Sequence, residues 1–139
     1  MSFREKSAWV MAALMTAAGL YYLNLVVGTS RDLGTVAPPI GIFIAYTVLV
    51  VIGSIVAQIV LAVSSPAEAQ ARADERERPI LHRAGSRAGV VLGFGTVTAL
   101  LFFLVHADGN LLFHMVLGSL IVSQIAEYAL QIVLLRRSA

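Results

Sequence analysis

The residues of this sequence that could do chemistry within a membrane lie in its last apolar segment, IVSQIAEYALQIVLLRR. Glu127 is the acid of this segment, and Ser123, Gln124 and Gln131 share a stripe with it on a helix of about 3.6 residues per turn. Glu127 comes nine residues before Arg136, which is about 13 Å along a helix. We therefore expect this carboxyl near the centre of a bilayer, slightly toward the arginines.

An ionised carboxylate at that depth costs on the order of 3 kcal/mol, and no lysine or arginine lies deep in an apolar segment to pair with it. We therefore expect a neutral Glu127 that hydrogen-bonds Gln58, Gln124 or a tyrosine and joins two helices. Two alternatives remain open: a proton- or cation-coupled site, and an ion pair with another subunit. Thr47, Ser54 and Gln58 form a second polar stripe, which we expect to face the first one across the helix bundle.

A second group of residues that could do chemistry contains two histidines and an aspartate: His106, Asp108 and His114. Such ligands bind zinc or copper. A turn separates the histidines, so their spacing matches no metal signature, and we expect them at the water interface with no cofactor. The chain has no cysteine, which rules out disulfides and thiolate ligands. It also has no HExxH, GxSxG or phosphate-binding loop, and we predict that it is not an enzyme.

The composition of the chain indicates that these side chains are carried by a membrane protein. Of the 139 residues, 58% are hydrophobic and 13% are charged, and the mean hydropathy is +0.84. Soluble domains carry about 25% charged residues, so this chain has more apolar surface than its own core can bury, and it needs lipid. The pI of 9.4 does not indicate nucleic-acid binding, because the net charge is +2 and the basic residues lie beside apolar segments, among acids.

Four segments are long enough to cross a bilayer, which requires about 20 apolar residues. We predict spans at about 8–27, 39–63, 88–105 and 111–135, within one all-α domain of residues 1–139 that forms a compact four-helix bundle. Pro39 suits the first turn of the second span, and Asn110 is a candidate N-cap of the fourth. The first span follows Arg4 and Lys6 as in a signal peptide, but its length favours an uncleaved helix.

The basic residues divide unequally between the two sides of the predicted bundle. Nine of them precede the first span, lie between the second and third, or follow the fourth, and Arg31 alone lies on the other side. The positive-inside rule therefore predicts both termini and the central connection in the cytoplasm. Arg83 and Arg87, just before the third span, are expected at the level of lipid headgroups. The nine residues are Arg4, Lys6, Arg72, Arg76, Arg78, Arg83, Arg87, Arg136 and Arg137.

The connection at 64–87 is the longest polar stretch of the chain. Its SPAE sequence, Ser65 to Glu68, has the form of a capping box and predicts a short solvated helix that ends near Pro79. Charged helices of this kind are usually solvated connectors. The alternative is a docking surface for a cytoplasmic partner, formed by Asp74, Glu75, Arg76 and Arg78.

Short matching sequences suggest that a helical hairpin is duplicated. IVAQI in the second span matches IVSQI in the fourth, which aligns Gln58 with Gln124 and places Leu61 at the position of Glu127. Five residues of a hydrophobic alphabet also match by chance, so the duplication is a hypothesis.

Glycines at four-residue spacing predict where the helices approach each other closely. Gly85, Gly89 and Gly93 share one face of the third span, and small residues on a face let two backbones come together in lipid. We expect this face inside the bundle, and the alternative is a seam between two copies of the chain.

The sequence DERERPILHRAG and the glycine-rich helix that follows resemble a family of small four-helix prokaryotic membrane proteins of unknown function. The family's central loop has an acid-Asp-Glu-Arg-x-x-x-Ile pattern, which corresponds here to Asp74, Glu75, Arg76 and Ile80, with Ala73 in place of the first acid. The resemblance covers residues 74–137. It implies a bacterial or archaeal cytoplasmic (inner) membrane, and some members of the family are thought to work beside small transcriptional regulators.

These features together predict a non-enzymatic membrane accessory, assembly or regulatory subunit. Its expected partners are the lipid bilayer and either another protein or a second copy of the chain, contacted through its helices or its charged connection, with no nucleic acid. One alternative is a small proton- or cation-coupled transporter or channel centred on Glu127, although a second acid, a deep basic residue or a broken helix is not evident. The other is a membrane metal or redox protein that uses His106 and His114.

Overall fold

The computed structural model describes residues 2–33, 40–67, 75 and 77–138 of the chain. These residues form four α-helices: α1 (Phe3–Leu33), α2 (Ile40–Ser64), α3 (Glu77–His106) and α4 (Gly109–Ser138). Each helix contains a stretch that is long and apolar enough to cross a membrane, with mean hydropathies of 1.5 to 2.4. The all-α class and the four candidate spans are therefore confirmed.

The third helix begins at Glu77, well before the predicted start of the third span at Ala88. Pro79 lies in its first turn, where a missing backbone N–H costs nothing because that group has no partner within the helix. Residues 77–87 are thus helical and not part of a loop, and Pro79 marks the start of a helix, not the end of one. The apolar pattern missed this extension because Arg83 and Arg87 interrupt it. The predicted capping residue Glu68 lies outside the described residues.

A tight turn connects α3 to α4, and it differs from the prediction in its capping residue. Asp108, not Asn110, is the N-cap of α4, because its Oδ1 accepts hydrogen bonds from the backbone N–H groups of Asn110 (2.9 Å) and Leu111 (3.2 Å). Ala107 precedes it with a φ of 51°, in the left-handed region where helices commonly end. We call this end of the bundle the turn end.

The helices pack in the order α2, α1, α4, α3, with the most extensive contact between α3 and α4. Within the described residues no extensive contact joins α2 to α3, so the bundle is open between them. Near the turn end α2 meets α4 through Phe43 and Phe113, whose ring centroids are 5.3 Å apart. The bundle, which the sequence predicted to be compact, therefore has an open side between α2 and α3.

Small residues allow α3 and α4 to approach closely, but they are not the predicted ones. Ala84, Ala88 and Ala99 are buried, and a Cβ added at Gly95 would lie 2.6 Å from Ser119 Cβ on α4. Of the predicted glycines, Gly85 lies at the edge of this contact, whereas Gly89 and Gly93 face away from the bundle, where an added Cβ would meet nothing within 4 Å. A four-residue step rotates about 40° around a helix, so successive glycines drift off the interface. The prediction was therefore wrong for Gly89 and Gly93.

The first helix uses glycine contacts on two of its sides. A Cβ added at Gly19 would lie 2.7 Å from Ile121 Cγ2, so α1 approaches α4 as closely as glycine permits. On another side of α1, Leu14 Cδ1 would lie 3.4 Å from a Cβ added at Gly53 of α2. Because α1 has a helix on both sides, it connects α2 to the rest of the bundle.

Candidate functional site

Ser123 is the most buried polar residue of the predicted stripe on α4. Its Oγ donates a 2.8 Å hydrogen bond to the backbone carbonyl of Ala88 on α3, and the residue is 3% exposed. Hydrogen bonds between apolar helices contribute about 0.6 kcal/mol on average. Ser123 therefore holds α3 against α4, and its hydroxyl is not available to a ligand.

Glu127 lies one turn further along α4 from Ser123, beside Gly85 of α3. Its Oε1 accepts a 3.2 Å hydrogen bond from Gln131 Nε2 and lies 3.7 Å from the position of a Cβ on Gly85. Gly85 stands between Arg83 and Arg87 in the sequence, so the carboxyl is level with two arginines. Because Gly85 precedes the predicted third span, this contact does not support the expectation of a carboxyl near the bilayer centre. The arginine side chains are exposed and form no ion pair with Glu127 within the described residues.

We expect Glu127→Gln to change the free energy of unfolding by less than about 0.5 kcal/mol. The glutamine oxygen can accept the same hydrogen bond from Gln131, and the side chain has the same shape, so the contact with Gly85 is preserved. The measurement is the midpoint of thermal unfolding in mild detergent, with Glu127→Leu as the comparison that removes the acceptor. A loss of several kcal/mol in Glu127→Gln would show that the charge itself is required.

The second predicted stripe, on α2, does not face α4. Gln58 Nε2 donates to Ser7 Oγ at 2.8 Å, and the Ser7 hydroxyl is 3.2 Å from Gln58 Oε1, so the amide joins α2 to α1. Thr47 and Ser54 donate to backbone carbonyls of their own helix. The expected contact of Gln58 with Glu127 is thus wrong, because α2 packs on α1 and not on the face of α4 that carries Glu127.

Gln124 differs from the other three polar residues of the predicted stripe on α4. It shares a stripe of α4 with Phe113, Leu120 and Gln131, and Phe113 at the start of this stripe contacts Phe43 of α2. The stripe therefore faces the side of the bundle on which α2 lies, toward the opening between α2 and α3. Among the described residues no group hydrogen-bonds the Gln124 amide, which is half-buried in the middle of α4.

The histidines are in different surroundings and do not form a site together. His114 Nδ1 and Tyr22 Oη are hydrogen-bonded at 2.8 Å between α4 and α1, and the Tyr46 ring of α2 lies 5.6 Å from the Tyr22 ring, tilted by 55°. His106 ends α3, exposed, with its ring stacked on Phe102. The carboxylate of Asp108 caps α4, and no group of three or more metal-ligating side chains exists in the described part of the chain.

The structure also contains an ion pair that sequence reasoning missed. Glu5, 8% exposed, accepts a 2.9 Å hydrogen bond from Arg136 Nε, and the Arg136 guanidinium lies 5.4 Å from the centre of the Trp9 ring. This pair joins the first turn of α1 to the last turn of α4 and defines what we call the terminal end of the bundle. An acid between the basic residues Arg4 and Lys6 was the available signal for it.

Two apolar recesses flank α4 on the face opposite Gln124. One, of about 280 Å³, lies between α1 and α4, and the other, of about 350 Å³, lies between α3 and α4. They share Gly118 and Val122 as their floor, and both open laterally. His114 and Thr16 are among the few polar residues that line them, so these recesses have the character of lipid-facing grooves and not of substrate pockets.

Comparison of the chain with protein-family models, with curated proteins and with solved structures finds no match. The resemblance to the four-helix family therefore stays a prediction from the loop motif. In that motif Asp74 and Arg76 lie outside the described residues, Glu75 is an exposed turn residue, and Ile80 is in the first turns of α3.

Proposed function

We propose that the protein is a non-enzymatic accessory or assembly subunit of a cytoplasmic membrane, inserted through α1 to α4 with both termini in the cytoplasm. The nine-to-one distribution of basic residues supports this orientation. The loop motif is consistent with a bacterial or archaeal membrane. The exposed basic residue Arg78, together with the connection before it, offers a further contact surface on the cytoplasmic side.

The observation that carries this proposal is the unpartnered amide of Gln124. In an apolar environment, a side-chain amide without a hydrogen bond costs on the order of several kcal/mol, so buried amides in spans find partners. Ser123, Gln58, Gln131 and His114 all have such partners within the chain. Gln124 instead faces the opening between α2 and α3, and a helix of another protein placed there would supply the missing hydrogen bond.

The hydrogen-bond partners of the polar residues also argue against transport as the primary role. A coupled transporter needs polar groups that are free to bind its substrate in the membrane. Here the carboxyl of Glu127 is bonded to Gln131, one turn away on the same helix, and the four long helices are unbroken.

The decisive experiment is native co-purification from a mild detergent with Gln124→Leu as the test variant. We expect the unaltered chain to retain a partner helix protein and the variant to retain about three to twenty times less of it, since interhelical hydrogen bonds contribute about 0.6 to 1.7 kcal/mol. The variant should unfold at the same temperature as the parent, because it removes no bond within the described structure.

Val122→Leu is the matched control, since Val122 lies two residues away and faces the apolar recesses on the other side of α4. It should retain the partner fully. A chain that purifies alone and monodisperse, or equal partner recovery from both variants, would contradict the proposal.

A further inference from the structure

The third helix carries a basic group on the side that faces away from the bundle. Glu77 is the acid of α3, and it falls on the face of Ala84, which packs against α4, so the outward face of the helix has no carboxylate. Within the described residues the arginines of the group form no ion pair. The exposed members of this basic group are Arg78, His82, Arg83 and Arg87.

Next to the basic group, α3 has a depression in its apolar surface. Gly89 and Gly93 are exposed and one turn apart, and an added Cβ at either would meet nothing within 4 Å. Val90 and Phe94, which are 71% and 75% exposed, form a wall beside them. Gly89 comes seven residues after His82 and eleven after Arg78, and both spacings return to the same side of a helix. The depression therefore continues from the charged part of α3 into the apolar part.

We propose that this face of α3 binds an anionic phospholipid. The basic group contacts the phosphate, for which arginine is suited because its planar fork donates two hydrogen bonds to the oxygens of one phosphate. An acyl chain occupies the depression at Gly89 and Gly93, beside Phe94. This inference requires α3 to cross the membrane but requires no protein partner, so its failure would leave the accessory role untouched.

Charge favours a lipid over a second copy of the chain as the occupant of this face. Two copies that met at Gly89 and Gly93 in one membrane would be related by a two-fold axis along the membrane normal, which places equivalent residues at the same depth. Arg78, which lies on the same side of α3 as Gly89, would then approach Arg78 of the other copy, and like charges repel. A phospholipid phosphate supplies the opposite charge at that depth.

The test uses a tryptophan at the proposed site as a reporter in vesicles. Trp9 is the sole tryptophan of the chain, so a Trp9→Phe, Phe94→Trp variant places the reporter beside the depression. The variant is reconstituted into phosphatidylcholine vesicles that contain increasing mole fractions of a brominated lipid, whose bromines quench tryptophan fluorescence on contact. The brominated lipid is phosphatidylglycerol in one series and phosphatidylcholine in the other. We expect half-maximal quenching by brominated phosphatidylglycerol at a mole fraction about 30-fold lower than by brominated phosphatidylcholine, since Arg83 and Arg87 each contribute about fivefold near an anionic headgroup.

Arg83→Gln with Arg87→Gln should abolish this preference. Arg4→Gln with Arg137→Gln removes the same charge at the terminal end of other helices and should preserve it. Gly89→Leu with Gly93→Leu fills the depression without a clash and should weaken quenching by both lipids. Gel filtration of each variant verifies that it is folded.

Three results would overturn the inference. Equal quenching by the two lipids would show that no anionic lipid is selected. Loss of the preference in both arginine double variants would show a general surface attraction without a site. A reporter that neither brominated lipid quenches would show that protein covers this face of α3.

Discussion

Gly95→Ala should lower the free energy of unfolding by about 2 kcal/mol, although alanine is the better helix former. The added Cβ would lie 2.6 Å from Ser119 Cβ and 3.5 Å from the backbone Cα of the same residue. A rotation of the serine side chain moves neither atom, so α3 and α4 must separate, and overpacking of this kind costs about 1–3 kcal/mol. Separation would also lengthen the hydrogen bond from Ser123 to Ala88, now 2.8 Å. The measurement is equilibrium unfolding in mixed micelles of mild and denaturing detergent.

Gly93→Ala is the matched control for this prediction. It adds the same methyl group to the same helix, but nothing lies within 4 Å of the new Cβ. Relative to glycine, alanine favours a helix by about 1 kcal/mol, so this variant should be as stable as the parent or more stable. If the two alanine variants lost the same stability, the close contact of α3 with α4 at Gly95 would be refuted.

Arg136→Met should destabilise the bundle by about 2 kcal/mol through the loss of the partner of Glu5. Glu5 is 8% exposed and receives its hydrogen bond from Arg136 Nε, so the substitution leaves a largely buried carboxylate without this donor. Methionine keeps most of the length of the side chain, which limits the loss of packing on Trp9. The midpoint of thermal unfolding in mild detergent measures the effect.

The double variant Glu5→Met, Arg136→Met provides the internal test. It removes the carboxylate as well as its partner, so it should be more stable than Arg136→Met alone. Arg137→Met is the control for a simple loss of charge, because Arg137 is the exposed neighbour of Arg136, and it should have little effect. If the double variant instead lost as much stability as Glu5→Met and Arg136→Met lose together as single variants, the two side chains would act independently.

On α3, the geometry of the helix explains both where the predicted close packing was right and where it was wrong. The sequence correctly predicted that close packing of α3 depends on small residues, and Gly85 does lie at the contact with Glu127. The prediction was wrong for Gly89 and Gly93, because residues at four-residue spacing wind around the helix by about 40° per step. Ala84, Ala88, Gly95 and Ala99 follow a mixed spacing of four and seven residues, which stays on one face.

For the polar residues, the sequence predicted the stripe on each helix but not the partner on the neighbouring helix. Ser123 was expected to share a polar stripe with its neighbours, yet it bonds a backbone carbonyl of α3, which no side-chain pattern reveals. Gln58 was expected to contact Glu127 and instead hydrogen-bonds Ser7, a residue of the first two turns of α1 that no sequence pattern singled out. A stripe gives the direction in which a side chain points on its own helix, but not which helix lies there.

The sequence by itself determined that the described chain is all-α with four helices of spanning length, because apolarity over about 20 residues is a property of each segment alone. The tertiary structure decided which helices are neighbours, that α2 joins the bundle through α1, and that Gln124 is left facing an opening. The physical reason is that lipid and the interior of the bundle are about equally apolar. Hydrophobicity therefore places a helix in a membrane but does not determine which of its faces packs against protein. The close contacts at Gly19 and Gly95 and the Glu5–Arg136 ion pair determine those faces.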